Sequence, residues 1–349
     1  MDTPRANVIR RGLLACGVLT VLAFGEDIRP TLTIAGDQFL VDGDPKFLVF
    51  ISYFDAMRAT PEVLDSDFRF LSAHKFDGVR VFPNWWDMRD RMAFGEDTLM
   101  DGRGRLRPAL LKALMRVIEC AARHGLIIDL SFAYETVRGL SDLRDDQAGR
   151  PQGELPVNQV HIEDYERGLV QVAEAIRAHR HVFVDIQNEY NGRITHVSDD
   201  EMKRLCAAIK RVDAARIVTA SLANEIGPDD VARRSDAAGV DVVGWHESRN
   251  PWRYDAMDEL VRSAKRVTTK PIYLGEPASL EVGLTSREFI TAVTKAKSGG
   301  AAAWTFHTRA GFDLSRKSLA EQLTEDETAF VRACADAVRV APWGAGGVR

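Results

Sequence analysis

Short apolar runs recur along the chain from residue 46 onward, and polar or amphipathic stretches separate them. Eight of these runs are rich in β-branched or aromatic residues, and their length suits strands that are buried on both faces. The runs are KFLVFISY (46–53), DGVRVF (77–82), LIIDLSF (126–132), VFVDIQ (182–187), RIVTAS (216–221), VDVVGW (240–245), PIYLG (271–275) and AAAWTF (301–306).

The stretches between these runs have the apolar spacing of amphipathic helices. The clearest examples are residues 106–125, 199–216 and 286–300, and the first and last of these end in glycine. Glycine is common just past the end of a helix because it accepts a left-handed backbone. The pattern therefore predicts strands that alternate with helices.

Eight buried strands alternating with helices indicate an α/β protein of the (β/α)₈ TIM-barrel class. A doubly wound open sheet is the alternative, and it would place a glycine-rich turn after the first strand to hold a nucleotide. The first strand instead continues as ISYFDAMR, without glycine. No repeat, low-complexity tract or linker divides the chain, so residues 26–349 are predicted to form a single catalytic domain.

Residues 31–47, TLTIAGDQFLVDGDPKF, alternate in polarity and turn at Gly36-Asp37 and Asp42-Gly43. This pattern predicts a β-hairpin ahead of the first barrel strand. A barrel has an apolar bottom that would otherwise face water, so we expect the hairpin to cover it. An ordinary surface hairpin is the alternative.

Residues 1–25 have a basic start, an apolar run from Gly12 to Phe24, and small residues at Ala23 and Gly25. These features predict a signal peptide. We therefore expect the protein to be exported to the periplasm or the extracellular space, without stable membrane association after cleavage. The apolar run is short for a membrane span, although an uncleaved anchor remains an alternative.

The formal net charge is −5 and the charges are interspersed, so the basic stripe of a nucleic-acid-binding protein is absent from the sequence. Cys120, Cys206 and Cys334 lie in separate helical patterns and are predicted to be buried free thiols. No Cys/His spacing indicates a zinc site. We expect no metal or other cofactor, and the sequence indicates no oligomeric state.

Catalytic groups of this fold lie where the strands end, at the carboxyl-terminal rim of the barrel. Strand four ends at Asn188-Glu189 and strand seven at Glu276, while Arg80 lies within strand two. The polar or aromatic residues near the other ends are Asn84, Trp85, Trp86, Trp245, His246, Trp304, His307 and Arg309.

Glu189 and Glu276 are expected to face each other across the barrel mouth. Glycoside cleavage needs such a pair, because one carboxyl group protonates the leaving oxygen while the other acts on the far side of the anomeric carbon. Asn224-Glu225 repeats the Asn-Glu dipeptide after strand five, but only one strand then separates Glu225 from Glu276. Arg80 lies inside an apolar strand and therefore needs an acidic partner.

The chain resembles clan A of the glycoside hydrolases, especially cellulase- and mannanase-like barrels. The features that carry the resemblance, in this order and on these strands, are the hairpin, Arg80, Asn188-Glu189, His246, Glu276 and Trp304. The resemblance extends over roughly residues 30 to 340. It implies a retaining double displacement without cofactor or metal, acting on a carbohydrate substrate.

The resemblance also implies individual roles. Glu189 would be the acid/base and Glu276 the nucleophile, which Arg80 would keep charged. Asn188 would bind the sugar 2-hydroxyl, and Trp304 would form the floor of the sugar subsite, with a cis peptide bond after it in many members of the clan.

Two positions depart from the clan pattern. Tyr190 stands where many members have proline after the acid/base. Ser248 stands where many members have a tyrosine that bonds the nucleophile, so either another residue such as Tyr53 or Tyr273 takes that place, or the protein belongs to a divergent family.

Aromatic side chains at strand ends suit carbohydrate, because the C–H faces of sugars stack on aromatic rings. His246, Trp304, Trp85, Trp86, Trp245 and Tyr53 are accordingly expected to contact substrate. The long polar segment 133–156 is expected to border the cleft, although an insertion without function is the alternative.

Three alternatives to a retaining glycosidase remain. A non-catalytic carbohydrate-binding barrel would have little use for two intact glutamates. A transglycosidase would use the same residues and cannot be distinguished by sequence. A lyase or a metal-dependent hydrolase would need a lysine at a strand end or a cluster of His and Asp, and the sequence pattern shows neither.

Overall fold

The computed structural model describes residues 29–84, 98–132, 137–138, 160–191, 197–223, 226–246, 251–276 and 284–344, with the backbone alone at 137–138 and 251–252. The predicted signal peptide (1–25), Trp85, Trp86, Glu225, Ser248, the side chain of Trp252 and most of segment 133–156 lie outside this description.

The described strands, in chain order, are β1 (Leu32–Ala35), β2 (Gln38–Val41), β3 (Asp44–Pro45), β4 (Leu48–Ser52), β5 (Gly78–Val81), β6 (Ile127–Ser131), β7 (Val137–Arg138), β8 (Val160–His161), β9 (Val182–Asp185), β10 (Val218–Leu222), β11 (Val242–Trp245), β12 (Ile272–Leu274) and β13 (Ala303–Phe306). Eight of these strands form a closed parallel barrel, in the order β4, β5, β6, β9, β10, β11, β12 and β13. Strand β13 pairs with β4 to close it. The predicted (β/α)₈ barrel is confirmed, and each of its strands lies within a predicted apolar run except β10, which ends one residue later, at Leu222.

The helices are α1 (Pro61–Ala73), α2 (Pro108–Arg123), α3 (Ile162–Ala175), α4 (Asp199–Val212), α5 (Pro228–Ala237), α6 (Pro251–Asp255), α7 (Met257–Lys265), α8 (Ser286–Gly299), α9 (Leu319–Gln322) and α10 (Glu325–Val340). Local sequence sets their ends. Ser198 and Glu201 form a capping box at the start of α4, as Thr285 and Glu288 do at α8. Gly300, with φ 92°, ends α8.

The predicted hairpin is present as β1 and β2, and β3 extends it to a three-stranded antiparallel sheet. Its Leu32 and Phe39 are buried against apolar side chains of the barrel interior, and the ring of Phe39 lies 5.9 Å from that of Phe183. The prediction that this hairpin covers the barrel bottom is confirmed.

The barrel interior changes from apolar to polar along its axis. Phe50, Phe183 and Tyr273 contact one another in an aromatic layer above the hairpin. A Cβ on Gly78 would lie 2.4 Å from the Phe50 ring, so glycine makes room for that ring. The layer above consists of side chains that are polar yet buried: Ser52, Arg80, Asp129, Ser131, Asp185, Thr219, Ser221 and Thr305.

The larger apolar cluster lies between the outer face of the barrel and the helices. It includes the buried free thiols of Cys120, Cys206 and Cys334, as the sequence predicted. Among the residues that the structure describes, no helix has both the length and the apolar character needed to cross a membrane.

Candidate active site

Arg80 is the central cation of the polar layer. Its side chain leaves β5 towards the barrel axis and is fully buried. Its Nη1 donates to Oε1 of Glu276 over 2.5 Å, its Nη2 donates to Oδ1 of Asn188 over 2.5 Å, and its Nε donates to Oγ of Ser131 over 2.9 Å. Arg80 thereby connects the residues that follow β12 and β9, the two strands expected to carry the catalytic glutamates.

Two further carboxylates approach the same guanidinium group. Oδ2 of Asp129 lies 3.1 Å from Nε of Arg80, and Nη2 donates to Oδ2 of Asp185 over 3.2 Å. Burial alone would lower the pKa of Arg80, but the neighbouring acidic residues, Glu276 first among them, raise it above its ordinary value. Arg80 therefore stays a cation at any pH at which the protein is folded.

Glu276 follows β12 directly after Gly275, and its residue is 7% exposed. A Cβ on Gly275 would lie 2.7 Å from Nε2 of His246, so only glycine lets the two strand ends approach this closely. The bond from Arg80 favours the charged form of the Glu276 carboxyl group. Such an environment suits a nucleophile.

Glu189 has a backbone conformation that side chains rarely adopt, with φ 51°. A left-handed non-glycine residue costs about 1–3 kcal/mol and persists where its surroundings hold it. Here the N–H of Glu189 donates to Oγ of Ser221 over 3.2 Å, and the N–H groups of Asn188 and Tyr190 donate to the carbonyls of Phe132 and Ser221. Neighbouring strands on both sides of β9 therefore fix the conformation.

His246, after β11, holds the side chain of Glu189. Its Nδ1 lies 3.0 Å from Oε1 of Glu189, and the imidazole is 2% exposed whereas the Glu189 side chain is 19% exposed. Ligand atoms of Glu189, His246 and Glu276 all lie within 4.8 Å of one another. The structure thus brings the two glutamates together across the mouth, as expected from their strands.

The same three groups could hold a divalent cation, since they supply two carboxylates and an imidazole. The guanidinium group of Arg80 already lies against Glu276, however, and its positive charge opposes a metal ion there. A second set of possible ligands lies away from the mouth, with Asp65 on α1, Cys120 on α2 and His124 directly after α2.

The sequence interpretation missed the interior residues Asp129, Ser131, Asp185 and Ser221. Asp185 accepts hydrogen bonds from the N–H and the Oγ of Ser221, over 2.9 and 2.7 Å. A signal was present, because aspartate stands inside two apolar strands, in LIIDLSF and VFVDIQ. The buried Arg80 needed partners, and only Glu276 was proposed.

Three aromatic residues expected to contact substrate do not face the cleft. Tyr53, Trp245 and Trp304 are fully buried in the cluster between barrel and helices. The hydroxyl group of Tyr53 donates to Asp67 on α1 over 2.7 Å, and the Trp304 ring packs 5.7 Å from Phe330 on α10. The structure therefore places these three side chains away from the cleft, because Trp245 and Trp304 occupy outward-facing positions of β11 and β13 and Tyr53 faces α1 directly after β4.

The cis peptide bond expected after Trp304 is also absent, since the structure shows none in the described residues. Tyr273 does not take the place of the missing tyrosine beside the nucleophile either. It lies in the barrel interior, where its hydroxyl group contacts Asp129 over 2.7 Å and Thr305 over 2.6 Å.

Other aromatic rings lie at the mouth instead. Phe54 stacks on Phe82 with a centroid distance of 4.4 Å, and His307 and Phe312 pack edge-on against Phe54. The guanidinium carbon of Arg80 lies 4.8 Å from the centre of the Phe82 ring. This mouth cluster, Phe54, Phe82, His307 and Phe312, adjoins the group that binds Glu276.

Neither a model of a known protein family nor a curated protein matches this chain by sequence. Solved structures of similar fold include the endo-1,4-beta-mannanase of Rhizomucor miehei, with 12% identity and a TM-score of 0.62 over 88% of this chain and 99% of that one. The beta-mannanase of the blue mussel Mytilus edulis has 18% identity and a TM-score of 0.57 over 88% of this chain and 97% of its own. GH5_18 of Streptomyces cattleya, solved with GlcNAc, has 16% identity and a TM-score of 0.58 over 86% and 82%. At these identities the likeness shows a shared barrel fold.

Proposed function

We propose that the protein is a retaining glycoside hydrolase that uses Glu276 as nucleophile and Glu189 as acid/base. The observation that carries the proposal is that a carboxylate oxygen of Glu189 and one of Glu276 lie within 4.8 Å of each other, while each carboxylate has a different partner. Retaining enzymes have a carboxyl separation of about 5–5.5 Å, and inverting enzymes about 6.5–9.5 Å to leave room for a water molecule. The observed closeness favours direct attack by one carboxylate.

The two environments support the assignment of roles. Arg80 donates to Glu276 and stabilises its negative charge. Glu189 is more exposed and contacts His246, which can adjust to a carboxyl group that gains and loses a proton. A fixed cation therefore lies beside the proposed nucleophile, and an imidazole lies beside the proposed acid/base. These environments suit the two roles in a double displacement.

In the first step, the Glu276 carboxylate attacks the anomeric carbon while Glu189 gives its proton to the glycosidic oxygen, whose bond to that carbon breaks. A glycosyl ester of Glu276 results. In the second step, Glu189 removes a proton from water, the water oxygen attacks the anomeric carbon, and the Glu276 carboxylate leaves. If a sugar hydroxyl replaces water, the same steps give transglycosylation.

Asn188 is oriented for substrate binding. Its Oδ1 accepts from Arg80, so its amide nitrogen is the group left to donate to a sugar hydroxyl. The mouth cluster supplies aromatic surface beside Arg80, with Phe312 its half-buried member. We propose that these groups, with Trp85 and Trp86 of the sequence, bind the saccharide.

We propose a plant or microbial oligo- or polysaccharide as substrate. Two of the similar structures are named mannanases and a third was solved with GlcNAc, so mannan, cellulose and chitin oligosaccharides are the first candidates, together with aryl glycosides. We also propose export through residues 1–25, which mass spectrometry of the secreted protein would test by showing a new N-terminus near residue 26.

The decisive experiment is covalent trapping with 2-deoxy-2-fluoro glycosides, followed by peptide mass spectrometry. We expect a sugar adduct on Glu276 in the wild type and none in Glu276→Gln. Glu225→Gln, which alters the second Asn-Glu dipeptide, is the matched control and should still be labelled. Hydrolysis of the candidate substrates without any sugar adduct, or an adduct on another residue, would refute the nucleophile assignment. Binding without turnover would favour the non-catalytic carbohydrate-binding barrel.

A further inference from the structure

Three carboxylates surround one guanidinium group in the barrel interior. Glu276, Asp129 and Asp185 all lie within 3.2 Å of Arg80, and each is less than a tenth exposed. If all were ionised, this buried group would carry two uncompensated negative charges. Each such charge costs several kcal/mol, so one carboxyl group gains from keeping its proton.

The hydrogen atoms available at Ser131 indicate that the protonated carboxyl group is one of the two aspartates. Its Oγ accepts from Nε of Arg80 and lies 3.1 Å from Oδ1 of Asp129 and 3.3 Å from Oδ2 of Asp185. A hydroxyl group has one hydrogen and two acceptor sites. With two ionised aspartates, one of these contacts would join two oxygens without a hydrogen between them. A proton on either aspartate resolves this.

Asp185 is the better-supplied anion. It accepts from the N–H and Oγ of Ser221 and from Nη2 of Arg80. Asp129 lies 3.1 Å from Nε of Arg80, but the single hydrogen of that nitrogen is donated to Ser131. With its proton on Oδ1, Asp129 donates to Ser131 and Ser131 donates to Asp185, so each of the three contacts of the Ser131 hydroxyl group contains one hydrogen.

We propose that Asp129 is held in its protonated form beneath the two glutamates, where it acts as a positioning residue that leaves the charge of Arg80 to Glu276 and Asp185. Its other oxygen, Oδ2, accepts from Tyr273 over 2.7 Å, and the Tyr273 hydroxyl group in turn contacts Thr305. Asp129, Ser131, Tyr273 and Thr305 are thereby joined in one chain of hydrogen bonds.

The titration of Asp129 agrees with this arrangement. The pKa of Asp129 is raised to about 7, because burial, together with the charge of Asp185, outweighs Arg80 and the hydroxyl groups of Tyr273 and Ser131, which lower it. These are the groups that face Asp129 from β9, β5, β12 and its own strand. Asp129 therefore keeps its proton in acid and loses it as the pH rises through about 7.

The functional consequence rests on the proposed glycosidase activity. Below about pH 7 the guanidinium group serves Glu276 and Asp185 alone. Above it, ionised Asp129 adds a third anion that competes with Glu276 and Asp185 for Arg80, so the support of the nucleophile weakens. We expect this loss to contribute to a decline of kcat/KM at alkaline pH.

Infrared difference spectroscopy tests the proton without any substrate. In protein labelled with ¹³C at aspartate carboxyl groups, the wild type should show the carbonyl band of a buried neutral carboxyl group that disappears through about pH 7. Asp129→Asn should lack this band. In Asp185→Asn the band should disappear at lower pH, since the charge that raises the pKa of Asp129 is gone.

Asp67→Asn is the control, because Asp67 lies outside the barrel and burial raises its pKa to about 6. It should remove a different band and leave the band of Asp129. If Asp129→Asn does not fold, Tyr273→Phe removes the hydroxyl group that bonds Asp129 and should shift the frequency of the band. No such band in the wild type, or a band that these changes leave as it was, would overturn the proposal.

The pH profile tests the consequence. The alkaline limb of kcat/KM should lie at higher pH and be less steep in Asp129→Asn than in the wild type. The infrared band does not depend on sugar cleavage. If the protein has no glycosidase activity, the proposed function is refuted, and the band still decides whether Asp129 is protonated. A band as predicted with an unaltered limb would refute the positioning role.

Discussion

Arg80 and Glu276 come from strands that do not neighbour each other, yet Nη1 of Arg80 lies 2.5 Å from Oε1 of Glu276. The bond crosses the interior of the barrel from β5 to the end of β12. The same guanidinium group reaches Asn188 and Ser131 with its other nitrogens, so one side chain sets the distances among four strands.

We first predict that Arg80→Lys impairs both catalysis and stability. An ammonium group keeps the charge but cannot donate in the fixed planar directions that reach Glu276, Asn188 and Ser131 together. Removing one partner of a buried ion pair costs about 3–5 kcal/mol, and the conservative change should cost a large part of that. Denaturant unfolding gives the loss of stability, and kcat on aryl glycosides should fall at least about tenfold. Wild-type kcat in the variant would contradict the role of Arg80.

Gly275→Ala is the second prediction. The added Cβ would lie 2.7 Å from Nε2 of His246, so the imidazole must move and its contact with Glu189 is disturbed. Overpacking of this kind costs about 1–3 kcal/mol. We expect lower kcat and a displaced histidine resonance by NMR. Gly227→Ala is the control, because a Cβ there meets no atom within 4 Å. Equal effects in the two variants would refute this account.

The third prediction separates the aromatic residues by the face that they occupy. Trp304→Phe should lower the free energy of unfolding by about 1–3 kcal/mol, since it leaves a cavity against Phe330. Activity per folded molecule should stay the same. Phe312→Ala, at the mouth, should raise KM with little loss of stability. A raised KM in Trp304→Phe would show instead that Trp304 contacts substrate.

A fourth prediction concerns acid stability. His181 is buried at the start of β9, with Nε2 3.1 Å from the carbonyl of Ile118, and burial lowers its pKa to about 4. Between about pH 6.5 and 4 the unfolded chain binds a proton that the folded chain refuses, so stability falls as the pH falls. Denaturant unfolding from pH 7 to 4 should show a smaller loss in His181→Gln. Parallel curves for the two proteins would refute the assignment to His181.

The strands were predictable because each is buried on both faces and reads as an apolar run between amphipathic helices. The direction of a side chain at a strand end was harder to predict. In β13, Ala303 faces the barrel interior and Thr305 contacts Tyr273 there, so Trp304 between them must face the helices. The small residues on either side of Trp304 were the available signal, since a barrel interior of eight strands has little room for indole.

The glutamate pair was predictable from strand order, whereas the distance between its members was not. That distance depends on the left-handed backbone of Glu189, which the tertiary bonds to Ser221 and Phe132 hold. The interior aspartates belong to a similar class. Their residue types were visible in the strands, but their shared cation became evident only when β5, β6 and β9 were placed side by side.

The sheet of β1 and β2 under the aromatic layer leaves the polar interior open towards the mouth. Within the described part of the barrel, Glu276 and Asn188 lie on the mouth side of Arg80 and Asp129, where the sugar would bind, so we expect water and hydroxide to reach Asp129 past them. We expect a bound saccharide to block this path, so that the protonation state of the barrel interior is fixed before binding and maintained through the turnover. Hydrogen–deuterium exchange of interior hydroxyl groups should slow accordingly when the cleft is occupied.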